Sequence, residues 1–212
     1  MKLKKRLKVW YKQWKREFLD HKYLILISLI LLALAYLVSF IASTYVDSII
    51  TTIVPDLILD HIPVLDLDMV FGYGIIIVIS TIFIYTVFFR IKDAHRVTFQ
   101  FSLLLFVRSF FMVLTHLGKP AVAKAVTDLP AFYQLFNFHN DLFFSAHTAV
   151  PFMAFLIFRK EKIGKFFLLM AIILAITVLF MHVHYSIDVF SAFFITFGVY
   201  TFGEWFCKKV YH

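Results

Sequence analysis

Residues 166–200 read "FFLLMAIILAITVLFMHVHYSIDVFSAFFITFGVY", two apolar runs divided by His182, His184 and Asp188. A bilayer core takes roughly 20 apolar residues as helix, at about 1.5 Å rise each, and both runs approach that length. An imidazole or a carboxylate at the edge of such a run gives up hydration. The interruption therefore points to a site between two spans.

Outward from this stretch the apolar pattern recurs. Six segments approach spanning length: 23–45, 69–90, 97–117, 142–158, 164–182 and 186–206. The 212-residue chain is 62% hydrophobic and 16% charged, whereas a soluble domain carries about a quarter charged residues. These features predict an all-α polytopic membrane protein, a bundle of six transmembrane helices occupying 23–207. A basic segment, 1–22, precedes the bundle and a basic tail, 208–212, follows it. No repeat, linker or second domain interrupts the pattern. The lone Cys207 excludes an internal disulfide. The first apolar run is too long for a signal peptide, and its basic preface suits an uncleaved anchor.

The net charge of +8 could belong to a nucleic-acid binder, but the placement of the charges gives that reading no support. Eighteen lysines and arginines fall in 1–22, 90–96, 159–165 and the tail, which share one side of a six-span chain. The other side holds Lys119 and Lys124, with Arg108 inside the third span. Topology alone accounts for such an asymmetry, and it predicts that both termini are cytoplasmic. Eight of the ten aspartates and six of the nine histidines then fall on the extracytoplasmic side, "HVHYSIDV" among them.

Two further segments belong to this frame. Leu3, Leu7, Trp10, Trp14 and Phe18 recur at helical spacing among lysines. They read either as an interfacial helix touching anionic headgroups or as a basic flank that sets topology. The connection 47–68 is apolar but broken by Pro55 and Pro63, and it is expected to lie along the outer interface without spanning.

Three features carry chemistry. His184 and Asp188 stand four apart; if the last helix has begun there, they share a face. The carboxylate can then accept the Nδ1 proton and leave Nε2 as nucleophile or base. Helix-end hydrogen bonding explains the same spacing. In "FHNDLFFSAHTAVPF", residues 138–152, Asp141 can cap the fourth span, while Ser145, Ala146, His147 and Thr148 form a polar notch open to a phosphate. Pro151 is tolerable there if the regular helix begins near His147. A capped helix with a snorkelling histidine is the plainer alternative. Arg108 lies in the middle of the third span, where an arginine costs about 2.5–3.5 kcal/mol on the lenient insertion scale. It must face the bundle and meet an anion: Asp188, Asp141 or a lipid phosphate. A buried ion pair between helices is the structural alternative.

Together, two imidazoles, a carboxylate and an arginine make a phosphoryl-transfer set that needs no metal and no cofactor. A rival reading takes His139, His147, His182, His184, Asp141 and Asp188 as zinc ligands of a membrane metal-binding protein.

The motifs also resemble a known family. "DLFFSAHT" at 141–148 is similar to the sphingomyelin synthase signature Asp-x-Leu-Phe/Tyr-Ser-Gly-His-Thr. "HYSIDV" at 184–189 is similar to that family's His-Tyr-Thr-x-Asp-Val, with His182 matching a further upstream histidine. "RSFFMVLTHL" at 108–117 resembles its arginine segment through Arg108, Met112, Thr115 and Leu117. Ala146 and Ser186 replace the usual glycine and threonine, and His139-Asn140 replaces Cys-Gly. Thr177 and Val178 stand where the related phosphatases carry Ser-Arg, and Phe144 where they carry proline.

The family is a branch of the type 2 phosphatidic acid phosphatase superfamily. The resemblance implies a six-helix fold and transfer of a phospholipid headgroup through a phosphohistidine-type step. It further implies His184 as nucleophile, Asp188 as its orienting partner and His147 as general acid and base. Arg108, Asp141, Ser145 and Tyr185 would bind substrate, with His182 and Thr148 in support. The implied partners are the bilayer, a phospholipid donor, and a lipid alcohol such as ceramide, or water, as acceptor. A hydrolase acting on lipid phosphates with the same residues is the close alternative.

Overall fold

A computed structural model describes residues 2–49, 52–123 and 142–211. Among them there are six α-helices and no β-strand. They are α1 (Lys2–Ser48), α2 (Asp68–Phe89), α3 (Ala94–Leu114), α4 (Ala146–Phe158), α5 (Lys162–Phe180) and α6 (Ser186–Tyr211). All but α4 are long and apolar enough to cross a bilayer. The 13 residues of α4 reach only about 20 Å, short of the roughly 30 Å hydrocarbon core.

The first helix runs unbroken for 47 residues, about 70 Å, so position 22/23 marks a change of composition and not of conformation. It stops where the sequence turns β-branched, at "IITTIVP", ahead of Pro55. Along its apolar half Leu26, Ile27, Ile30, Leu37 and Ile41 are exposed, a surface that suits lipid and not water. Part of its N-terminal aromatic stripe packs on protein. Trp14 and Phe18 cover Ile91 and Ala94, Trp14 Nε1 donates to the Val87 carbonyl at 2.7 Å, and Trp10 stacks on Phe88.

Contacts between the basic segments gather at this same end of the bundle. Arg90 pairs with Asp93 and with Glu161, and Arg96 pairs with Glu204. Gln100 Nε2 donates to Glu204 and to the Tyr200 carbonyl, lying where a Cβ on Gly203 would fall. A glycine is required there because a buried amide of α3 presses on the backbone of α6.

Between the ends, α1 lies chiefly against α3, and α4 sits between α5 and α6. One apolar core joins Val78, Val97, Ala154, Phe158, Phe167 and Leu174 across α2 to α5. A second, Leu104, Phe144, Ala149, Met153, Ala192 and Val199, lies between α3, α4 and α6.

The opposite end carries the connections. The segment 52–66 is irregular apart from a 3₁₀ turn, Leu59–His61, as its prolines predict. It is tied down at both ends. Thr52 exchanges backbone hydrogen bonds with His116 and Gly118, and Leu65 N donates to the Phe180 carbonyl at 2.8 Å.

One helix start differs from the apolar run that predicts it. The fourth segment becomes helical at 146 and not 142, because Phe143 and Phe144 both take left-handed conformations, φ 67° and 77°. Pro151 is then the sixth helical residue, beyond the first-turn positions that tolerate proline. It has no amide hydrogen to offer the His147 carbonyl.

Candidate active site

The start of α6 is built from its own first turn. Tyr185 is the N-cap, and Asp188, three residues on, reaches back so that Oδ2 accepts the Tyr185 amide at 3.0 Å. This is the second half of a capping box, and it places a carboxylate at the positive end of a helix. The same oxygen accepts His184 Nδ1 at 3.2 Å. Asp188 is fully buried and His184 nearly so. With Nδ1 as donor, the imidazole is held in the tautomer whose Nε2 carries the lone pair.

The start of α4 is docked onto that turn. Ser145, its N-cap, donates its amide to the Asp188 carbonyl at 3.1 Å and accepts Thr148 and Ala149 through its own carbonyl. The Ser145 side chain makes no capping bond to the helix, whose positive end faces this turn. The Ser145 and Thr148 hydroxyls are buried at 0% exposure, and neither Ser145 Oγ nor Thr148 Oγ1 has a hydrogen-bond partner among the described residues. His147 is half-buried, its ring stacked at 3.9 Å on Phe71 of α2, and it lies within electrostatic reach of both His184 and Arg108.

The third contributor comes from α3. Arg108 is buried, and its Nε donates to the Phe144 carbonyl at 3.1 Å. That carbonyl is presented by the paired left-handed residues before α4. Bulky residues rarely adopt this geometry, and strain of this kind concentrates at functional sites. Three helices are thus pinned to one place by the bonds 108–144, 145–188 and 184–188.

The remaining sequence candidates are placed as follows. Tyr185 is buried, but its hydroxyl is spent on the loops: it donates to the Gly118 carbonyl at 2.9 Å and accepts the Val54 amide at 3.3 Å. Burial pushes its phenol above the ordinary value. His182 is buried on the turn leading into α6. Asp141 lies outside the described residues, as does His139. Among the described residues no three His, Cys, Asp or Glu side chains form a metal-ligating group.

Asp56 was not singled out in the sequence, yet it braces the site. Its Oδ2 accepts the Ser186 amide at 2.6 Å, while Oδ1 accepts the amides of Ile58 and Leu59. Burial raises its carboxyl, but these hydrogen bonds more than offset the burial and hold it below the ordinary value. The local half was legible as an aspartate opening a short helical turn after Pro55. Its bond to Ser186, 130 residues away, had no signal in the sequence.

Residues 140–205 match the family model described as PAP2 superfamily C-terminal. The match takes in His147, His184 and Asp188 and leaves Arg108 outside. It supports the type 2 phosphatidic acid phosphatase superfamily, and it suggests an enzyme of lipid phosphatase or phosphotransferase type. No curated protein and no solved structure matches the chain.

Proposed function

We propose that the protein is a multipass phosphotransferase that moves a phospho-headgroup from a glycerophospholipid to a lipid alcohol. In this reading α4 completes a set of six spans, both termini are cytoplasmic and the site opens on the extracytoplasmic face. Residues 1–22 carry their lysines to anionic headgroups, and 23–207 form the catalytic domain. The observation that best supports the reading is the convergence of buried Arg108, the N-terminus of α4 and the His184–Asp188 pair.

The phosphate sits against the first amides of α4, the Ser145 and Thr148 hydroxyls and the Arg108 guanidinium, which together oppose its negative charge. His184 Nε2 attacks phosphorus. The P–N bond forms as the bond to the diacylglycerol oxygen breaks, and protonated His147 gives its proton to the departing oxygen. Asp188 stabilises the imidazolium that develops on His184. In the second half His147, now neutral, takes the proton of the acceptor hydroxyl. The new P–O bond forms and the P–N electron pair returns to Nε2. Asp141 is assigned a supporting role on the motif resemblance alone.

The same chemistry with water as acceptor makes a lipid phosphate phosphatase or a phospholipase C-like hydrolase, and the match to the PAP2 C-terminal model fits that equally. Dryness of the site decides between them. Purified protein given labelled phospholipid and a fluorescent ceramide tests the proposal. A new labelled phospholipid identifies the transferase; free phospho-headgroup alone identifies the hydrolase. Wild-type turnover by His184→Ala sinks both.

A further inference from the structure

The residue at 182 is unfavourable on two independent counts. Helix α5 ends in a Schellman motif: His182 N donates to the Leu179 carbonyl at 3.0 Å and Val183 N to the Val178 carbonyl at 3.2 Å. His182 occupies its left-handed position, φ 51°, where glycine or asparagine is the easier residue. Stopping the helix does not account for a histidine. Its ring, moreover, is 2% exposed, and neither Nδ1 nor Nε2 has a hydrogen-bond partner among the described residues. A buried polar ring gives up hydration without compensation unless something else supplies it.

His182 is among the residues that line a cavity of about 440 Å³, within the range of small-molecule sites. The walls come from the 53–64 connection, from 120–122, and from His182 and Tyr185. They are braced by the Tyr185 hydroxyl, bonded to Gly118 and Val54, and by Asp56, bonded to Ser186. Asp56 and Asp60 are the charged residues among the described lining, which otherwise includes Val54, Ile62, Val64 and Pro120. A phosphate would meet two carboxylates and no cation. An ammonium could pair with the carboxylates, but it only donates and would leave the N–H of the His182 ring unmatched. Hydroxyl groups both donate and accept, and the apolar wall suits a chain behind them.

We propose that this cavity is the acceptor subsite, which takes a long-chain lipid alcohol with His182 hydrogen-bonding its hydroxylated head. The assignment rests on the phosphotransferase reading and locates the second substrate within it. His182 and Tyr185, which both line the cavity, flank His184 in the chain, with the Cα atoms of His182 and His184 at most about 7 Å apart.

The test uses the full chain in liposomes with a diazirine-bearing long-chain alcohol as the probe. His182→Gly and His182→Asn both suit the left-handed backbone. We expect photolabelling to map to 53–64 and 120–122, to fall about tenfold in His182→Gly and to recover in part in His182→Asn. In steady state the KM for the alcohol rises about tenfold in His182→Gly, with kcat changed less than twofold. Labelling undiminished by His182→Gly, labelling elsewhere, or a fall in kcat with KM unchanged would overturn the assignment. Labelling needs no turnover. Failure of wild-type transfer would therefore count against the phosphotransferase reading, while labelling still decides the pocket.

Discussion

The amide of Ser145 donates to the carbonyl of Asp188 at 3.1 Å, and this bond sets the start of α4 directly on the first turn of α6. Two motifs more than forty residues apart are thereby joined through backbone, and the proposed mechanism assigns the hydroxyl of Ser145 and the ring of His184 to substrate. The geometry is specific enough to be tested piece by piece.

Asp188 has two jobs that one substitution separates. Asparagine can still accept the Tyr185 amide through its side-chain oxygen, so the helix cap survives. It cannot stabilise an imidazolium as a carboxylate does. Asp188→Asn should melt close to wild type while turnover falls about 10²–10⁴-fold. Thermal denaturation in detergent alongside a turnover assay checks both halves.

Arg108 tests the phosphate site. Arg108→Lys keeps the charge but loses the fork and the Nε bond to the Phe144 carbonyl. Turnover should fall about a hundredfold or more, a loss that added salt does not deepen, because the group is buried. Arg108→Ala should also destabilise by about 1–3 kcal/mol, since a buried carbonyl is left unsatisfied.

Asp56 makes the outer loops sensitive to acid. Its carboxyl is held below the ordinary value of 3.8, so its contribution is complete above that value and is lost as pH falls through the depressed one. Melting temperature should therefore drop as pH is lowered below about 4. In Asp56→Asn that part of the pH dependence should vanish, together with some stability at neutral pH. Melting curves from pH 3 to 7 in detergent resolve the difference.

Much of the fold was legible because apolar run length and lysine placement are one-dimensional signals. Five of the expected spans are helices of spanning length, and within the 47–68 connection residues 52–66 are irregular apart from one 3₁₀ turn, as Pro55 and Pro63 imply. The spacing of His184 and Asp188 was enough to pair them, but not as two residues of one helical face: the helix begins at Ser186, and Asp188 reaches back to a His184 that precedes the N-cap. What was hidden is three-dimensional. Nothing in "FHNDLFFSAHT" announces that Phe143 and Phe144 turn left-handed; the regular helix does begin near His147, as Pro151 required, yet Pro151 still lies six residues into it. The unbroken length of α1 was hidden as well, since a shift from basic to apolar composition looks like a boundary whether or not the helix breaks. Asp56 was overlooked because its target, Ser186, is distant in sequence.

The strained turn gives one more test. Phe144 combines φ 77° with complete burial, whereas Phe143 at φ 67° is half-buried against Phe111. Glycine relieves about 1–2 kcal/mol of backbone strain at either position. Removing a buried phenylalanine costs about 3–5 kcal/mol. Phe144→Gly should therefore destabilise by about 2 kcal/mol and Phe143→Gly by much less, as read from denaturation midpoints.

The most direct measurement of the central claim is chemical trapping of the phosphorylated enzyme. Protein mixed with phospholipid carrying ³²P in its headgroup, then quenched in alkali, should hold an acid-labile, base-stable label that maps to the peptide containing His184 and is absent from His184→Ala. Turnover by His184→Ala at the wild-type rate, or label mapping to a different residue, would contradict the account.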